Sequence, residues 1–362
     1  MIDLIYDCDI TMGLPGRDVD DGLALLYLLG SPKIRLLGVT STFGNSSIQD
    51  VHPCLLSILE DLGRDDVPAF RGVSREALRA AESSPTDPRG WDARADSDAA
   101  RFLAETVRKN PGSVSILATG SPTNLLGAYR LHPGFFQDVK QIVLMGGITE
   151  PLMINGREMG ELNFASDPEA ALYALYAGVP PAAAGGSAKS VRSSPPLSPV
   201  PGCGVAVISG NLCLEALLTR QRFQAFLGKS NAKGAKGFIA YLEEKIFPWF
   251  SWIEQEYDLP GFHVWDATAA LYLTDPQLFE PGNVLLRSNL EDLNRGFLRI
   301  DRAAGVPAPG TPAYAGISAP IDSNAGNRNN RRIDIPTSIR DLPAYWQSLL
   351  DGWRTAGTAW QK

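Results

Sequence analysis

Apolar residues in the first half of the chain fall into short runs separated by longer stretches with helical spacing. Runs at 2–6, 34–42, 114–118 and 141–145 are short, rich in Ile, Val and Leu, and bounded by Gly, Pro, Asn or Asp, as strands are. Between them, residues 22–29, 48–62, 99–109 and 123–131 carry apolar positions three and four apart and read as helices. Pro53 argues for a later start to the second helix. Asp167-Pro168 should cap a helix running through Tyr176. Strand–helix alternation of this kind implies an α/β fold: a mostly parallel central sheet with helices on both faces, an open Rossmann-like sheet.

The second half is less regular. Residues 182–202 (AAAGGSAKSVRSSPPLSPVPG) are rich in Ala, Gly, Ser and Pro and have no period, so they read as an irregular insertion. A strand resumes at 205–208, and a helix rich in aromatic residues follows at 237–252, where Pro248 should kink or end it. Residues 306–332 form a second irregular insertion, and a helix at 345–353 closes the pattern. No internal repeat is visible. One α/β domain over 1–362, carrying these two insertions, accommodates all the elements.

Composition narrows the chemistry. With 44% hydrophobic and 20% charged residues, the chain can build a large core without disulfides. Cys8, Cys54, Cys203 and Cys213 form no CxxC pair, and there are three histidines, which argues against a zinc site. A net charge of −7 disfavours nucleic acid as a partner. The opening MIDLIYDCDI has neither a basic segment nor a long apolar one. No signal peptide, no membrane span and a reduced, cytoplasmic location are therefore expected.

The strongest local signal is YDCDITMGLPGRDVDDGLALL, which packs Asp7, Asp9, Asp18, Asp20 and Asp21 between an apolar strand and an apolar helix. In an open α/β sheet that junction is the carboxyl end of a strand, where ligands bind. One or two aspartates would suit a solvated, N-capping turn. Five so close repel one another unless a positive charge sits among them, and oxygen ligands suit calcium or magnesium. Asp7-Cys8-Asp9-Ile10-Thr11 also fits the DxDxT signature of haloacid dehalogenase-type phosphatases, which are magnesium-dependent. That reading leaves Asp20 and Asp21 unexplained, and the strand 141–145 is followed by Gly-Gly rather than the acids it requires.

The acidic cluster resembles the DxDxxxDD fingerprint of the inosine–uridine-type nucleoside hydrolases, ribonucleoside N-glycosidases, with a longer gap between Asp9 and Asp20-Asp21. Further blocks follow in that family's order: GVTSTFGNSS (38–47), ILATGSPTNLL (116–126), IVLMGG (142–147), NGREMGELNFASDPEAA (155–171) and HVWDATAALYLTDPQLF (263–279). The resemblance implies a nucleoside hydrolase-like domain with calcium held by the carboxylates of Asp9, Asp21 and Asp266 and the carbonyl of Thr123, with two waters completing the shell. Asp9 would be the general base. Asp20 and Asp266 would hold the ribose 2′- and 3′-hydroxyls, and Asn155 the 3′-hydroxyl. Glu161 and Asn163 would hold the 5′-hydroxyl, and Asn45 and Met145 would line the ribose pocket. Each has an ordinary alternative: a turn for Asn45, strand core for Met145, a helix cap for Thr123, loop surface for Glu161 and Asn163.

In this reading a ribonucleoside is cut through a cation-like ribosyl transition state that the carboxylates stabilise. Many inosine- or pyrimidine-cleaving relatives carry histidine just before the last metal aspartate. Here Trp265 stands there, as in purine-preferring members, with His263 two residues earlier. Trp265 would stack on a purine, and Trp91 could face it across the base, although an exposed loop aromatic explains Trp91 as well. By analogy a homo-oligomer, dimer or tetramer, is expected. A calcium-stabilised nucleoside- or ribose-binding protein without catalysis is the competing reading.

Overall fold

The computed structural model describes residues 1–83, 92–178, 203–229, 236–302, 331–358 and 360. Its strands are β1 (Ile2–Cys8), β2 (Ile34–Ser41), β3 (Ala69–Arg71), β4 (Val114–Ala118), β5 (Gln141–Met145), β6 (Gly204–Ile208), β7 (Asn283–Leu286), β8 (Ile300–Arg302) and β9 (Arg331–Asp334). They form one nine-stranded sheet in the order β8-β7-β9-β6-β5-β4-β1-β2-β3. Neighbours from β9 through β3 pair in parallel, whereas β7 is antiparallel to both β9 and β8. The order 3-2-1-4-5-6 within this sheet is that of a doubly wound fold, with its reversal between β1 and β4.

Both faces of the sheet are covered, as the near-continuous apolar runs require. Leu4, Tyr6 and Cys8 of β1 join one core with α1 (Asp20–Gly30), α2 (Ile48–Asp61), the long α6 (Lys236–Tyr257), α7 (Trp265–Thr274) and α8 (Leu342–Thr358). Ile5 joins the opposite core with α3 (Asp98–Lys109), α4 (Thr123–Leu131) and α5 (Pro168–Leu175). The expected α/β fold with helices on both faces is therefore observed.

Three expectations need correction. Pro53 lies inside α2 rather than at its start. Proline there removes one N–H bond, but Ile48, Val51, Leu55 and Ile58 bury a continuous face that keeps the helix whole. Pro248 likewise lies inside α6, which runs on to Tyr257. Aromatic packing on both sides of it, Phe247 and Phe250 against Phe223, outweighs the lost bond. Arg331 and Arg332, assigned to the second insertion, instead open β9, a strand whose polar lettering hides it. Residues 182–202 and most of 306–332 lie outside the described residues.

The packing of α1 on α8 is close enough to require glycine. A Cβ on Gly30 would collide with the carbonyl of Gly352, and Trp353 donates from Nε1 to the Leu23 carbonyl at 2.9 Å beside it. Gly30→Ala should therefore cost about 1–3 kcal/mol through overpacking. Urea unfolding should show a lower midpoint at an unchanged slope.

Candidate functional site

The carboxyl ends of β1, β2 and β4 meet the N-termini of α1 and α7. Asp9 follows β1 directly, Asp20 and Asp21 are the first residues of α1, and Asp266 is the second residue of α7. All four are buried, with 1%, 0%, 1% and 6% of their surfaces exposed respectively. The long gap between Asp9 and Asp20 is taken up by a closed loop. Gly13 and Gly16 adopt positive φ, and Thr11 donates from Oγ1 to the Asp18 carbonyl at 2.8 Å. The side chain of Asp18 accepts from the N–H groups of Val19 and Asp20 and so opens α1.

The two chain halves are joined here. The Asp266 N–H donates to Asp20 Oδ2 at 2.5 Å. Asn45 bridges two acids, donating from its backbone to Asp9 Oδ2 and from Nδ2 to Asp21 Oδ2 at 3.2 Å. Asp9 and Asp21 therefore share Asn45 as a common donor. Gly44 and Gly120 leave room for Asp9, since a Cβ on Gly44 would collide with its Oδ2.

Burial and mutual repulsion dominate the electrostatics. Burial is the largest cause raising the proton affinity of Asp9, Asp20 and Asp266 well above the usual carboxylate range. For Asp266, repulsion from Asp21, Asp20, Asp9 and Asp18 follows in that order, so these acids lie within electrostatic reach of one another. Burial also raises Asp21 to about 6, against the hydrogen bonds from Thr119 and Tyr6 that lower it. Two helix N-termini supply roughly +0.5 charge each, about +1 against as many as four carboxylates. The shortfall of up to about three charges is one that a divalent cation would offset in large part, and an all-oxygen set suits calcium. Asp20 Oδ1 has no hydrogen-bond partner although it is buried, a further acceptor that such a cation would satisfy. Among the described residues no three His, Cys, Asp or Glu side chains are placed so that together they could hold a metal ion. The fit to a cation is therefore electrostatic only: the acids are held in place by Asn45, the Asp266 N–H and Thr119.

The structure also locates the remaining sequence-derived residues. Thr123 opens α4, but its hydroxyl is committed to Asp167 Oδ2 at 2.9 Å and to Ser121 at 2.7 Å. Glu161 accepts from the N–H groups of Gly147, Asn163, Phe164 and Ala165, so its carboxylate ties the segment after β5 to the next helical turn. Asn163 donates to the carbonyls of Thr119 and Met145 at 2.7 and 3.0 Å, which joins the ends of β4 and β5. Asn155, at φ 44°, sits beside Gly156 in the turn of a hairpin formed by Leu152–Ile154 and Arg157–Met159. It is exposed and donates to the Tyr257 carbonyl at 2.8 Å; its hydrogen bonds do not reach the acids. Trp265 begins α7, half-buried, with its ring 5.2 Å from that of His263. Burial lowers His263 to about 4, so it is neutral near pH 7, with Nδ1 unpartnered. Trp91 lies outside the described residues.

Sequence reasoning missed two residues that hold Asp21, Tyr6 and Thr119. Asp7, the first acid of the DxDxT match, is fully buried and accepts from Thr40 at 2.6 Å and Asn124 at 2.7 Å, so it is a strut of the fold.

A doubly wound sheet with carboxylates gathered at its switch point defines an α/β protein built to hold a ligand there. The sequence profile of the inosine-uridine preferring nucleoside hydrolase family matches residues 4–347, and the chain belongs to that family. Uridine nucleosidase 1 of Arabidopsis thaliana is 36% identical over 181 residues, 46% of this chain and 51% of its own length. Pyrimidine-specific ribonucleoside hydrolase RihA of Citrobacter koseri is 30% identical over 193 residues, 50% of this chain and 59% of its own. The chain thus spans little more than half the length of these curated relatives. A probable uridine nucleosidase 2 of Arabidopsis thaliana is 25% identical over 81% of this chain and 84% of its own. Among solved structures, a purine-preferring ribonucleoside hydrolase from Gardnerella vaginalis has the same fold, with a TM-score of 0.67 at 22% identity over 99% of both chains. No described helix is long and apolar enough to cross a membrane.

Behind the site, Arg94 donates from Nε and Nη2 to both oxygens of Asp167 at 2.9 and 3.0 Å, and both residues are buried. Asp167 in turn holds Thr123. Removing one member of a buried pair strands the other charge, at a cost of about 3–5 kcal/mol. Arg94→Ala should lose that much in denaturant unfolding.

Proposed function

We propose that this protein hydrolyses the N-glycosidic bond of ribonucleosides, releasing free base and ribose, with calcium at the acidic floor. The observation that carries the reading is the convergence of Asp9, Asp20, Asp21 and Asp266 in a buried, cation-poor site within a chain of this family. Asp9, Asp21 and Asp266 would hold the ion through their carboxylates, with the carbonyl of Thr123. Calcium there supplies positive charge that makes water easier to deprotonate. Asp9 would take the proton as the water oxygen bonds to C1′ and the C1′–N bond breaks, with the departing nucleobase protonated from solvent; Asn45, which bridges Asp9 and Asp21, keeps Asp9 oriented. The remaining carboxylates stabilise the positive charge that develops at the anomeric carbon. Asp20 and Asp266 bind the ribose hydroxyls, with Asn45, Met145, Glu161 and Asn163 completing the sugar pocket; Asn155, exposed and bonded to Tyr257, would have to leave that contact to reach the 3′-hydroxyl.

The base preference proposed is for purines. Trp265, partly exposed and adjacent to Asp266, offers a ring face beside the sugar site, with Trp91 a second candidate. The relatives named as uridine- or pyrimidine-specific favour a second reading, in which His263, neutral and with Nδ1 free of hydrogen bonds, rather than an indole meets the base.

Base and reducing-sugar release from inosine, adenosine, guanosine and uridine, each with calcium and with chelator, decides between them. The purine nucleosides should turn over fastest, and chelation should abolish turnover. Uridine as the fastest substrate would defeat the purine preference, and phosphate release from phosphomonoesters would favour the phosphatase. Nucleoside binding without sugar release would show a binding protein. Asp9→Ala should lower turnover by ~10²-fold or more, the weight of a general base, with the fold intact by circular dichroism. Activity near wild type would remove Asp9 from that role.

A further inference from the structure

Between the helix Arg75–Ser83 and residues 161–168 lies a cavity of about 340 Å³. Sites for small ligands run from roughly 300 to 1,000 Å³. We propose that this cavity binds a phosphate group, held by the guanidinium groups of Arg75 and Arg79 and the hydroxyl of Ser166. Arg75, Leu78 and Arg79 are three and four positions apart, so they share one face of their helix, and all three line the cavity. Among the described residues Arg75 meets no carboxylate. Its guanidinium donates from Nη2 to Ser166 Oγ at 2.7 Å and lies 4.9 Å from the centre of the Phe43 ring. Stacking on Phe43 sets the plane of the guanidinium, and Ser166 takes one of its N–H groups, which leaves others for an anion.

Two acids also border the cavity, and both are answered from within the protein. Asp167 accepts from Arg94 through both oxygens, from the Thr123 hydroxyl and from the Ala170 N–H. Glu161 accepts from four backbone N–H groups. The donors at the wall are therefore two guanidinium groups and a hydroxyl, a set suited to an anion. A tetrahedral phosphate offers several oxygens at once, and the planar fork of arginine meets them two at a time. Leu78 and the 44% exposed Leu162 give the same wall an apolar edge, which suits the carbon skeleton of a phosphate ester. The phosphate is the shared chemistry, whether free or carried on a sugar. Arg75 also connects the cavity with the acidic floor, because Phe43 beneath it lies two residues before Asn45, the donor to Asp9 and Asp21.

Isothermal titration calorimetry in calcium-free buffer, with inorganic phosphate, ribose 5-phosphate and ribose as titrants, tests the site without reference to turnover. Both phosphates should bind, the ester more tightly. Arg75→Gln and Arg79→Gln should each weaken binding by about 10-fold or more, the weight of a charge-assisted hydrogen bond. Arg101→Gln, at an exposed arginine of α3, should bind as the wild type does. Uptake of inorganic phosphate alone identifies the free ion as the ligand, and tighter uptake of ribose 5-phosphate identifies an ester; either supports the site when the arginine variants weaken it. Melting temperatures separate a lost ligand from a damaged fold, and should Arg75→Gln fail to fold, Arg79→Gln decides alone. No uptake of either phosphate at millimolar concentration overturns the proposal, as does wild-type affinity in both arginine variants. Ribose binding as tightly as ribose 5-phosphate also overturns it. Each of these failures leaves the nucleoside hydrolase reading intact, since that reading is decided by base and sugar release.

Discussion

Carboxylates of like charge, shut away from water, are the constraint around which this protein is organised. Each would keep its charge easily in solvent; together in a dry pocket they repel, and burial raises their hold on protons. The surrounding architecture answers that cost. Two helices point their N-termini at the acids, Asn45 reaches between two of them, and hydroxyls from β1 and the end of β4 hold a third. Gly44 and Gly120 keep their own side chains out of the way of Asp9. The helix dipoles offset only part of that charge.

Around that floor, polar side chains serve as braces. Glu161 spends both oxygens on four backbone N–H groups, and Asn163 spends its amide on the ends of two neighbouring strands. The hairpin bearing Asn155 is clasped to the end of α6, where Asn155 meets Tyr257 and Arg157 meets the Glu256 carbonyl at 2.6 Å. These bonds hold loops, the least ordered class of backbone, in a fixed relation to the sheet.

Much of this could be read from the letters. Fully buried parallel strands leave unbroken apolar runs, so β4 and β5 fall where their runs do, and Thr123–Leu131 follows its helical period. Five aspartates in one window announced the floor. Residues whose structure is set by tertiary contacts were the hard ones. Pro53 and Pro248 look like helix breakers, yet burial of the surrounding helix face overrides them. Strand β9 carries two arginines and an aspartate, and only its pairing with β7 and β6 makes it a strand. Tyr6 looked like one more apolar strand position. Its role depends on where its hydroxyl ends, which no periodicity records. Asp266 entered through resemblance alone, because nothing local connects it with residues near the other end of the chain.

That distance has a consequence for how the molecule comes into being. The bond between the Asp266 backbone and the Asp20 side chain spans 246 positions. Contacts of such separation form late, since the intervening chain must be ordered before they can close. During synthesis, β1 and α1 emerge long before α7, and until then three aspartates meet without their fourth. The acidic floor is then complete only at the end of assembly, when the far side of the pocket closes on a segment made early.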